Sequence, residues 1–306
     1  MKKNLRFLCA FLTAIFMGGL HAATAAEQAA IFAPDAKLDR LATDMKFTEG
    51  PVWLPEKQML IWSDIPASVQ MQWTKNDGAK FLRNTAQSNG NMLDDEGRLV
   101  SCQHQGRNLV RFEDDGEVTV LIDRFEGKML NSPNDLALHS DGSIWFTDPS
   151  YGLEGKPSDI GGQWVYRFEP STGKIDAVNR SLDMPNGIAF SPDHTRLYIS
   201  DMGTIGKILI YQTPAVGEIC AEPVGEIDAV SDGMTVDQQG RLFTTTQDGV
   251  KVFDSNGKFL TVLAMPERPT NVCFGGDDGQ TLFITAGKSL YSVRCLTPGV
   301  IHQRKE

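Results

Sequence analysis

The chain has 306 residues, of which 41% are hydrophobic and 22% are charged, a composition typical of a folded domain and not of a disordered segment. Its formal net charge at pH 7 is −10. A chain this acidic is a poor candidate for binding nucleic acid or an anionic membrane surface, because both repel negative charge.

The first 26 residues have the layout of a secretory signal peptide. Cationic residues precede an apolar run over residues 7–20, and small residues surround Ala25 and Ala26. The apolar run is shorter than the ~20 residues that a membrane-spanning helix needs. We therefore expect cleavage near Ala25 or Ala26, secretion to a bacterial periplasm, and a mature chain over residues 27–306 that forms one domain away from the membrane.

A short unit recurs six times along the mature chain. Each copy contains a polar residue, a strand, a turn and a second strand that ends on Ser or Thr. The residue eight places before each turn is an acid or an amide: Glu49 (turn at Lys57), Asn89 (Gly97), Asn134 (Gly142), Asn186 (His194), Asp232 (Gly240) and Asn271 (Gly279). The second strands end at Ser63, Ser101, Thr147, Ser200, Thr245 and Thr285.

Units of about 40 to 50 residues, built from short strands and tight turns, are typical of β-propeller blades. Further alternating runs between the hairpins supply the outer strands, and residues 35–42 are predicted to complete the last blade beside residues 289–294. The sequence thus predicts an all-β, six-bladed β-propeller. Because equivalent positions of the blades converge on one axis, the six polar residues are expected to line one end of a central channel. A single Asn or Asp could simply cap its turn, but six copies at one offset favour a shared site.

The chemistry of these six residues favours a hard divalent cation. Glu49 and Asp232 supply carboxylates and the others supply amide oxygens, which suit Ca²⁺ or Mg²⁺ better than a closed zinc site built from Cys or His. Such a cation can polarise a carbonyl group, and hydrolysis then needs a base to activate water. Asp135 and Asp232 are both candidates for that base. A serine nucleophile is not expected, since no Gly-x-Ser-x-Gly motif is present.

Several features of the sequence have more than one interpretation. His104 is either a substrate contact or a polar loop residue. Tyr151 and the Gly-rich segment 152–162 form either a lid over the site or an exposed loop. The cysteines that remain after cleavage allow three pairings or none: Cys102, Cys220, Cys273 and Cys295.

Five segments in order resemble the SMP-30/gluconolactonase/LRE family, and its bacterial gluconolactonase branch in particular. They are FTEGPVW, RLVSCQHQGRNLVRFE, GKMLNSPNDLALHSDGSIWFTDPSYG, MPNGIAFSPDHTRLYISD and SDGMTVDQQGRLF, spread from about Phe47 to Thr285. The resemblance implies a propeller that holds one divalent cation and hydrolyses sugar lactones to aldonic acids. The animal members have an arginine where this chain has Ser132, so their substrate preference is not transferred.

The resemblance also implies roles for individual residues. They are Glu49, Asn186 and Asp232 for the metal, Asn134 and Asn89 for the substrate, and Asp135 for catalysis. The residues themselves add His104 as a candidate substrate contact and Asp232 as the other candidate base. The leading hypothesis is a secreted lactonase acting on a sugar lactone such as glucono-1,5-lactone, with Ca²⁺ as the first expected cation and Mg²⁺, Mn²⁺ or Zn²⁺ as alternatives. The rival hypotheses are hydrolysis of a phosphotriester or a non-sugar lactone, and a non-catalytic periplasmic binding propeller with a structural metal.

Overall fold

The computed structural model describes residues 31–213 and 222–301, and in these ranges the chain forms the predicted six-bladed β-propeller. The proposed signal peptide over residues 1–26 lies outside the described residues, as does Cys220. Over the part of the chain that is described, no helix has both the length and the apolar character needed to cross a membrane.

Each blade is an antiparallel sheet of four strands, which follow one another from the axis outward. The first three blades are β2 (Thr48–Leu54), β3 (Met59–Asp64), β4 (Val69–Thr74) and β5 (Gly78–Asn84); β6 (Ser88–Leu93), β7 (Leu99–Gln103), β8 (Asn108–Phe112) and β9 (Val118–Ile122); and β12 (Leu136–Leu138), β13 (Ile144–Asp148), β14 (Trp164–Glu169) and β15 (Lys174–Asn179). Between the second and third blades lies a small hairpin of β10 (Arg124–Phe125) and β11 (Lys128–Met129).

The other three blades have the same plan, and the last one includes the first strand of the chain. They are β16 (Pro185–Phe190), β17 (Arg196–Asp201), β18 (Lys207–Gln212) and β19 (Gly225–Ile227); β20 (Met234–Val236), β21 (Leu242–Thr246), β22 (Gly249–Phe253) and β23 (Phe259–Leu263); and β24 (Pro269–Gly275), β25 (Thr281–Ala286), β26 (Ser289–Arg294) and β1 (Asp39–Ala42). Short 3₁₀ helices cover Ile65–Ala67 and Tyr151–Leu153.

The innermost strands of the six blades contact one another in a closed circle, from β2 through β6, β12, β16, β20 and β24 back to β2. The circle is closed by antiparallel pairing of β1 with β26, in which Asp39 lies opposite Ser292. This confirms the prediction that the N-terminal segment completes the last blade. The first strand of the chain is therefore held in the last blade, and the radial arrangement leaves only the short outer edges of the blades unpaired.

Apolar side chains fill the spaces between adjacent blades. Between the second and third blades, for example, Val100 and Leu109 pack in one buried cluster with Ile144, Phe146 and Tyr166. The alternation of strand residues places one set of side chains on each face of a blade, and each face meets the next blade. Burial of these faces holds the inner strands in fixed relative positions.

The Ser and Thr residues at the ends of the second strands have a structural role. Ser63 Oγ donates to the Asn89 carbonyl at 2.8 Å, Thr147 Oγ1 to the Asn186 carbonyl at 2.7 Å, and Ser200 Oγ to the Asp232 carbonyl at 3.3 Å. Each hydroxyl thus fastens one blade to the backbone of a polar ring residue in the next blade. This contact explains the hydroxyl in these three blades, whereas Ser101 Oγ bonds to Asn91 Oδ1 within its own blade and Thr245 Oγ1 donates to the Thr270 carbonyl at 2.8 Å.

Strand ends and turns differ slightly from the sequence prediction. In three blades the second strand continues to an Asp, and Asp64 accepts hydrogen bonds from the backbone N–H groups of Lys46 and Phe47, both at 3.0 Å. In the first hairpin the turn is predicted at Lys57, but the residue with positive φ is Gln58, at 45°. Its backbone N–H bonds to the Pro55 carbonyl at 3.2 Å, so this turn is shifted by one residue.

Candidate functional site

The six polar residues of the repeat meet at one end of the axis, which we call the ring end. Glu49, Asn89, Asn186 and Asn271 lie near the start of their inner strands, and Asn134 and Asp232 closely precede β12 and β20. Their side chains are buried or nearly so; that of Asp232 is 13% exposed. Asp135, next to Asn134, is also buried. The structure therefore brings together every residue that the sequence assigned to metal binding and catalysis.

Close backbone contacts between blades fix these positions. The N–H of Gly90 donates to the Asn134 carbonyl, and the N–H of Gly187 donates to the Asp232 carbonyl, both at 2.9 Å. A Cβ on Gly187 would lie 2.3 Å from that same Asp232 oxygen, and a Cβ on Gly50 would lie 2.0 Å from the Asn89 oxygen. Glycine is therefore required after Glu49 and after Asn186, because a side chain at either position would push neighbouring blades apart.

Three carboxyl groups of the ring act on one another. Burial raises the pKa of Glu49 well above its ordinary value, and the charges of Asp232 and Asp135 raise it further. Burial likewise raises the pKa of Asp135 to about 7, although hydrogen bonds from the Leu136 backbone and the Asn271 amide lower it in part. The pKa of Asp232 is also raised by burial, and the nearby charge of Arg268 opposes that effect. Bringing three acids together without a cation is unfavourable for their ionised forms.

The donor atoms at the ring end fit a hard divalent cation. Among the described residues no three His, Cys, Asp or Glu side chains alone form a cluster that could hold a metal ion, so amide oxygens would have to contribute. One such oxygen is available: Asn89 Oδ1 is buried and has no hydrogen-bond partner in the described ranges. Carboxylate and amide oxygens are the ligands that Ca²⁺ and Mg²⁺ prefer, and a cation would also offset the repulsion between the acids.

His104 acts on the ring through Asn89. Asn89 Nδ2 and His104 Nε2 are 3.1 Å apart, and burial lowers the pKa of His104 to about 4, so the imidazole is neutral near pH 7. A neutral imidazole can accept the amide proton at Nε2, which directs the other end of the amide, Oδ1, away from the histidine. A role for His104 as a substrate contact stays a prediction; its contact in the structure is with Asn89.

The segment that follows Tyr151 packs on the body of the propeller. Ser132 Oγ donates to the Pro149 carbonyl at 2.6 Å and accepts from the Gly152 N–H at 2.9 Å. The buried Ser132 is thus occupied by backbone contacts and supports the loop. Farther along, Arg107 Nη2 bonds to Asp159 at 2.8 Å. These contacts fasten residues 152–162 to the second and third blades, and opening of this segment as a lid stays a prediction.

Two polar side chains stand at the open side of the ring. Tyr151 is 38% exposed and lies beside the Asn186 side chain, whose Nδ2 is 3.1 Å from Met202 Sδ. Arg268 has a half-exposed side chain, and its Nη2 lies 3.6 Å from Asp232 Oδ2. No sequence pattern singled out Arg268. It lies three residues before Asn271, between Glu267 and Pro269, in the loop that leads into the last inner strand.

Below the ring the axis contains a cavity of about 150 Å³. Asp135 and Asn271 border it at the ring end, and apolar side chains of the inner strands, such as Met92, Phe190 and Phe274, form most of its wall. The apolar wall removes water from the Asp135 carboxyl group, which accounts for the raised pKa of that residue.

Cysteine pairing is not observed in the described ranges. Cys102, Cys273 and Cys295 are free thiols, and burial raises the pKa of each. Thiols of this kind are inert packing groups, since the reactive species is the thiolate.

Comparisons with known proteins agree with this geometry. A family model described as the SMP-30/Gluconolactonase/LRE-like region matches residues 47–288. The gluconolactonase of Zymomonas mobilis is 30% identical over 301 residues, which cover 88% of this chain and 84% of that protein. The solved structure of a gluconolactonase from Xanthomonas campestris is 34% identical, covers 90% of this chain and 94% of its own, and has a TM-score of 0.83.

A more distant solved structure shares the fold. Regucalcin from Agrobacterium tumefaciens, described as a calcium-binding protein, is 18% identical, with a TM-score of 0.73 over 87% of this chain and 96% of its own. The six-bladed architecture is therefore common to proteins with widely different sequences.

Proposed function

The chain belongs to the SMP-30/gluconolactonase/LRE family, and we propose that it is a lactone hydrolase that opens a sugar lactone such as glucono-1,5-lactone to the aldonic acid. The observation that carries this proposal is the ring end, where Glu49, Asp135 and Asp232 lie together with amide side chains beside a polar opening. The gluconolactonases of Zymomonas mobilis and Xanthomonas campestris, as similar proteins, support the substrate class.

The residues that would hold a divalent cation are Glu49, Asn186 and Asp232, with Asn89 Oδ1 as a further oxygen. When bound, such a cation polarises the lactone carbonyl and stabilises negative charge on its oxygen. Ca²⁺ is the first candidate because the available donors are carboxylate and amide oxygens, and Mg²⁺, Mn²⁺ and Zn²⁺ are the alternatives.

Hydrolysis adds a water oxygen to the carbonyl carbon and breaks the bond between that carbon and the ring oxygen. The products are a hydroxyl group and a carboxylic acid, which releases its proton to solvent and becomes a carboxylate. A carboxylate of the chain accepts the proton of the attacking water and returns it to the departing ring oxygen. Asp135 and Asp232 are the two candidates for this base. Asn134, with Asn89 beside it, orients the lactone, which restricts the bound substrate to geometries close to reaction.

The polar character of the opening favours a sugar over the rival substrates. Tyr151 and Arg268 offer hydrogen-bond donors at the open side, whereas a phosphotriester or a hydrophobic lactone would gain more from an apolar surface. Secretion to a periplasm remains part of the proposal and rests on the sequence of residues 1–26 alone.

A metal-depletion experiment tests the function. We expect the purified protein to open glucono-1,5-lactone, to lose this activity with a chelator, and to recover it with one of the four cations. Thermal unfolding with each cation gives a second readout, because a ligand that binds the folded state raises the melting temperature. Unchanged activity after complete metal removal would contradict the mechanism, and a melting shift without hydrolysis of any sugar lactone would favour the binding propeller.

Two substitutions separate the candidate bases. If Asp135 is the base, Asp135→Asn should lower the rate about 10²- to 10⁴-fold while cation affinity is kept. Asp232→Asn should lower cation affinity as well, since Asp232 is assigned as a ligand. A normal rate in Asp135→Asn would leave Asp232 as the base.

A further inference from the structure

Arg268 is held beside the ring end by a loop that has little freedom. The carboxylate of its neighbour Glu267 accepts hydrogen bonds from Lys288 N at 2.9 Å, Ser289 Oγ at 2.5 Å and Tyr291 Oη at 2.7 Å. The Arg268 carbonyl accepts from Gly287 N at 3.1 Å. Pro269 follows directly and fixes its own φ angle. Contacts with the last blade therefore fix the backbone position from which the Arg268 side chain extends.

The guanidinium group of Arg268 does not hold the described part of the fold together through hydrogen bonds. Its Nη2 is 3.6 Å from Asp232 Oδ2, which is an ion-pair distance, and it donates a hydrogen bond to none of the described residues. Other arginines of the protein are engaged: Arg107 donates to the Leu130 carbonyl at 2.6 Å, and Arg294 donates to Asp278 at 2.7 and 2.9 Å. Arg268 thus presents five N–H donors at the open side of the site.

Since this inference rests on the proposed lactonase function, the position of Arg268 can be related to the reacting atoms. Asp232 is assigned to the cation, and the cation would hold the lactone carbonyl. A side chain next to Asp232 lies close to the acyl end of the substrate and farther from its distal hydroxyl groups. Ring opening converts the neutral acyl group into a carboxylate, which the planar fork of a guanidinium can bind through two parallel hydrogen bonds.

We propose that Arg268 binds the acyl oxygens of the lactone and then the carboxylate of the aldonate product. The negative charge on these oxygens is absent from the free lactone, develops during hydrolysis and is complete in the product. Arg268 therefore contributes more to binding the transition state and the product than to binding the lactone, as differential binding requires. Because it is a cation close to the assigned metal ligands, it opposes cation binding and does not assist it.

The test compares wild-type protein with Arg268→Gln and Arg268→Lys, all loaded with the cation that supports activity. We expect Arg268→Gln to weaken inhibition by gluconate about 10- to 100-fold and to lower kcat by a similar factor, with a smaller change in KM. Arg268→Lys should recover part of the gluconate affinity, because it keeps the charge and loses the bidentate geometry. Cation affinity, measured by calorimetry, should be equal to or tighter than that of the wild type.

Arg294→Gln is the matched control. It removes an exposed arginine from the opposite end of the blades and should leave gluconate affinity and kcat unchanged. Loss of cation affinity in Arg268→Gln would overturn the inference, because Arg268 would then be supporting Asp232. Unchanged gluconate affinity in an otherwise active Arg268→Gln protein would overturn it as well.

Calorimetry with gluconate separates this inference from the proposed function. A wild-type protein that opens no lactone but binds gluconate through Arg268 would contradict the lactonase proposal and support the carboxylate contact. If the wild type is active and its gluconate affinity is unchanged in Arg268→Gln, only the contact between Arg268 and the carboxylate is contradicted. A protein that neither opens the lactone nor binds gluconate would overturn both.

Discussion

The inner hairpins carry acidic residues at both of their ends, and the two sets are in opposite electrostatic states. At the ring end, burial and mutual repulsion raise the pKa of Glu49, and burial raises the pKa of Asp232. At the other end, which we call the turn end, hydrogen bonds from Arg294 lower the pKa of Asp278 to about 2. In the third blade burial raises the pKa of Asp141, but hydrogen bonds from Ser143 and Arg167 outweigh it and hold the pKa well below the ordinary value.

The difference shows that residue type alone does not identify a functional acid. Both of these turn-end acids are paired with arginines of their own blades, so their charges are already balanced within the fold. The ring-end acids face one another and the amides of other blades, and a buried acceptor, Asn89 Oδ1, has no partner in the described ranges. Buried groups that the chain does not satisfy indicate a ligand supplied from outside.

The largest expected effect comes from Asp232→Asn at the ring end. The rate of lactone opening should fall on the order of 10³-fold, because one carboxylate is lost from a site that needs it. In the presence of a chelator the same variant should be at least as stable as the wild type, since repulsion with Glu49 is removed and the ion pair with half-exposed Arg268 is worth little. Initial rates and urea unfolding measure the two quantities. Marked destabilisation of the metal-free variant would contradict the claim that the ring-end acids repel one another.

The next effect is expected from Asp141→Asn at the turn end. Arg167 is only 7% exposed, and its Nη2 lies 2.9 Å from Asp141 Oδ2, so removal of the carboxylate leaves a buried cation with fewer partners. The free energy of unfolding should fall by about 2–4 kcal/mol, while kcat is unchanged. Asp278→Asn is the control: its partner Arg294 is exposed, and the loss should not exceed about 1 kcal/mol. Equal losses in both variants would show that burial does not set the cost.

A smaller effect, and a sharper one, is expected from Asp148, at the ring-end terminus of β13. Burial raises its pKa from 3.8 to about 7, so between these values the folded state holds a proton that the unfolded state has released. The stability that this proton contributes is lost as pH rises through about 7. The advantage of Asp148→Asn over the wild type should therefore grow between pH 4 and 7, by about 3 kcal/mol. Urea unfolding at several pH values measures it, and a constant difference would exclude the titration.

The repeat made the fold and much of the ring predictable from sequence. One offset, from Glu49 to Asn271, located six positions that the structure brings to one axis, because a propeller places equivalent residues of its blades together. The hydroxyls that end the second strands were visible as a pattern, but their role in fastening the next blade was not. The first turn was misplaced by one residue, since Lys57 and Gln58 carry no glycine signal.

The role of Arg268 and the orientation of the Asn89 side chain could not be predicted from the sequence in the same way. Arg268 occurs in one blade only, so no repeat marks it, and its relation to Asp232 depends on the placement of two loops from different blades. Likewise, the direction of the Asn89 amide depends on His104, fifteen residues later, and on which ring nitrogen accepts the proton. Contacts of this kind are created by tertiary structure and leave no local pattern.

The pairing of β1 with β26 has a consequence for when the protein becomes active. Thr48, next to Glu49, receives its backbone partner from Gly287, with Thr48 N 2.9 Å from that carbonyl, and the circle closes only when residues 289–294 meet residues 39–42. During synthesis Glu49 emerges early, but its neighbours across the seam emerge last. A ribosome-bound or C-terminally shortened chain would therefore carry nearly all of the ligands but would lack the closed circle, and it would be inactive. Catalytic activity would then indicate that both translation and folding are complete.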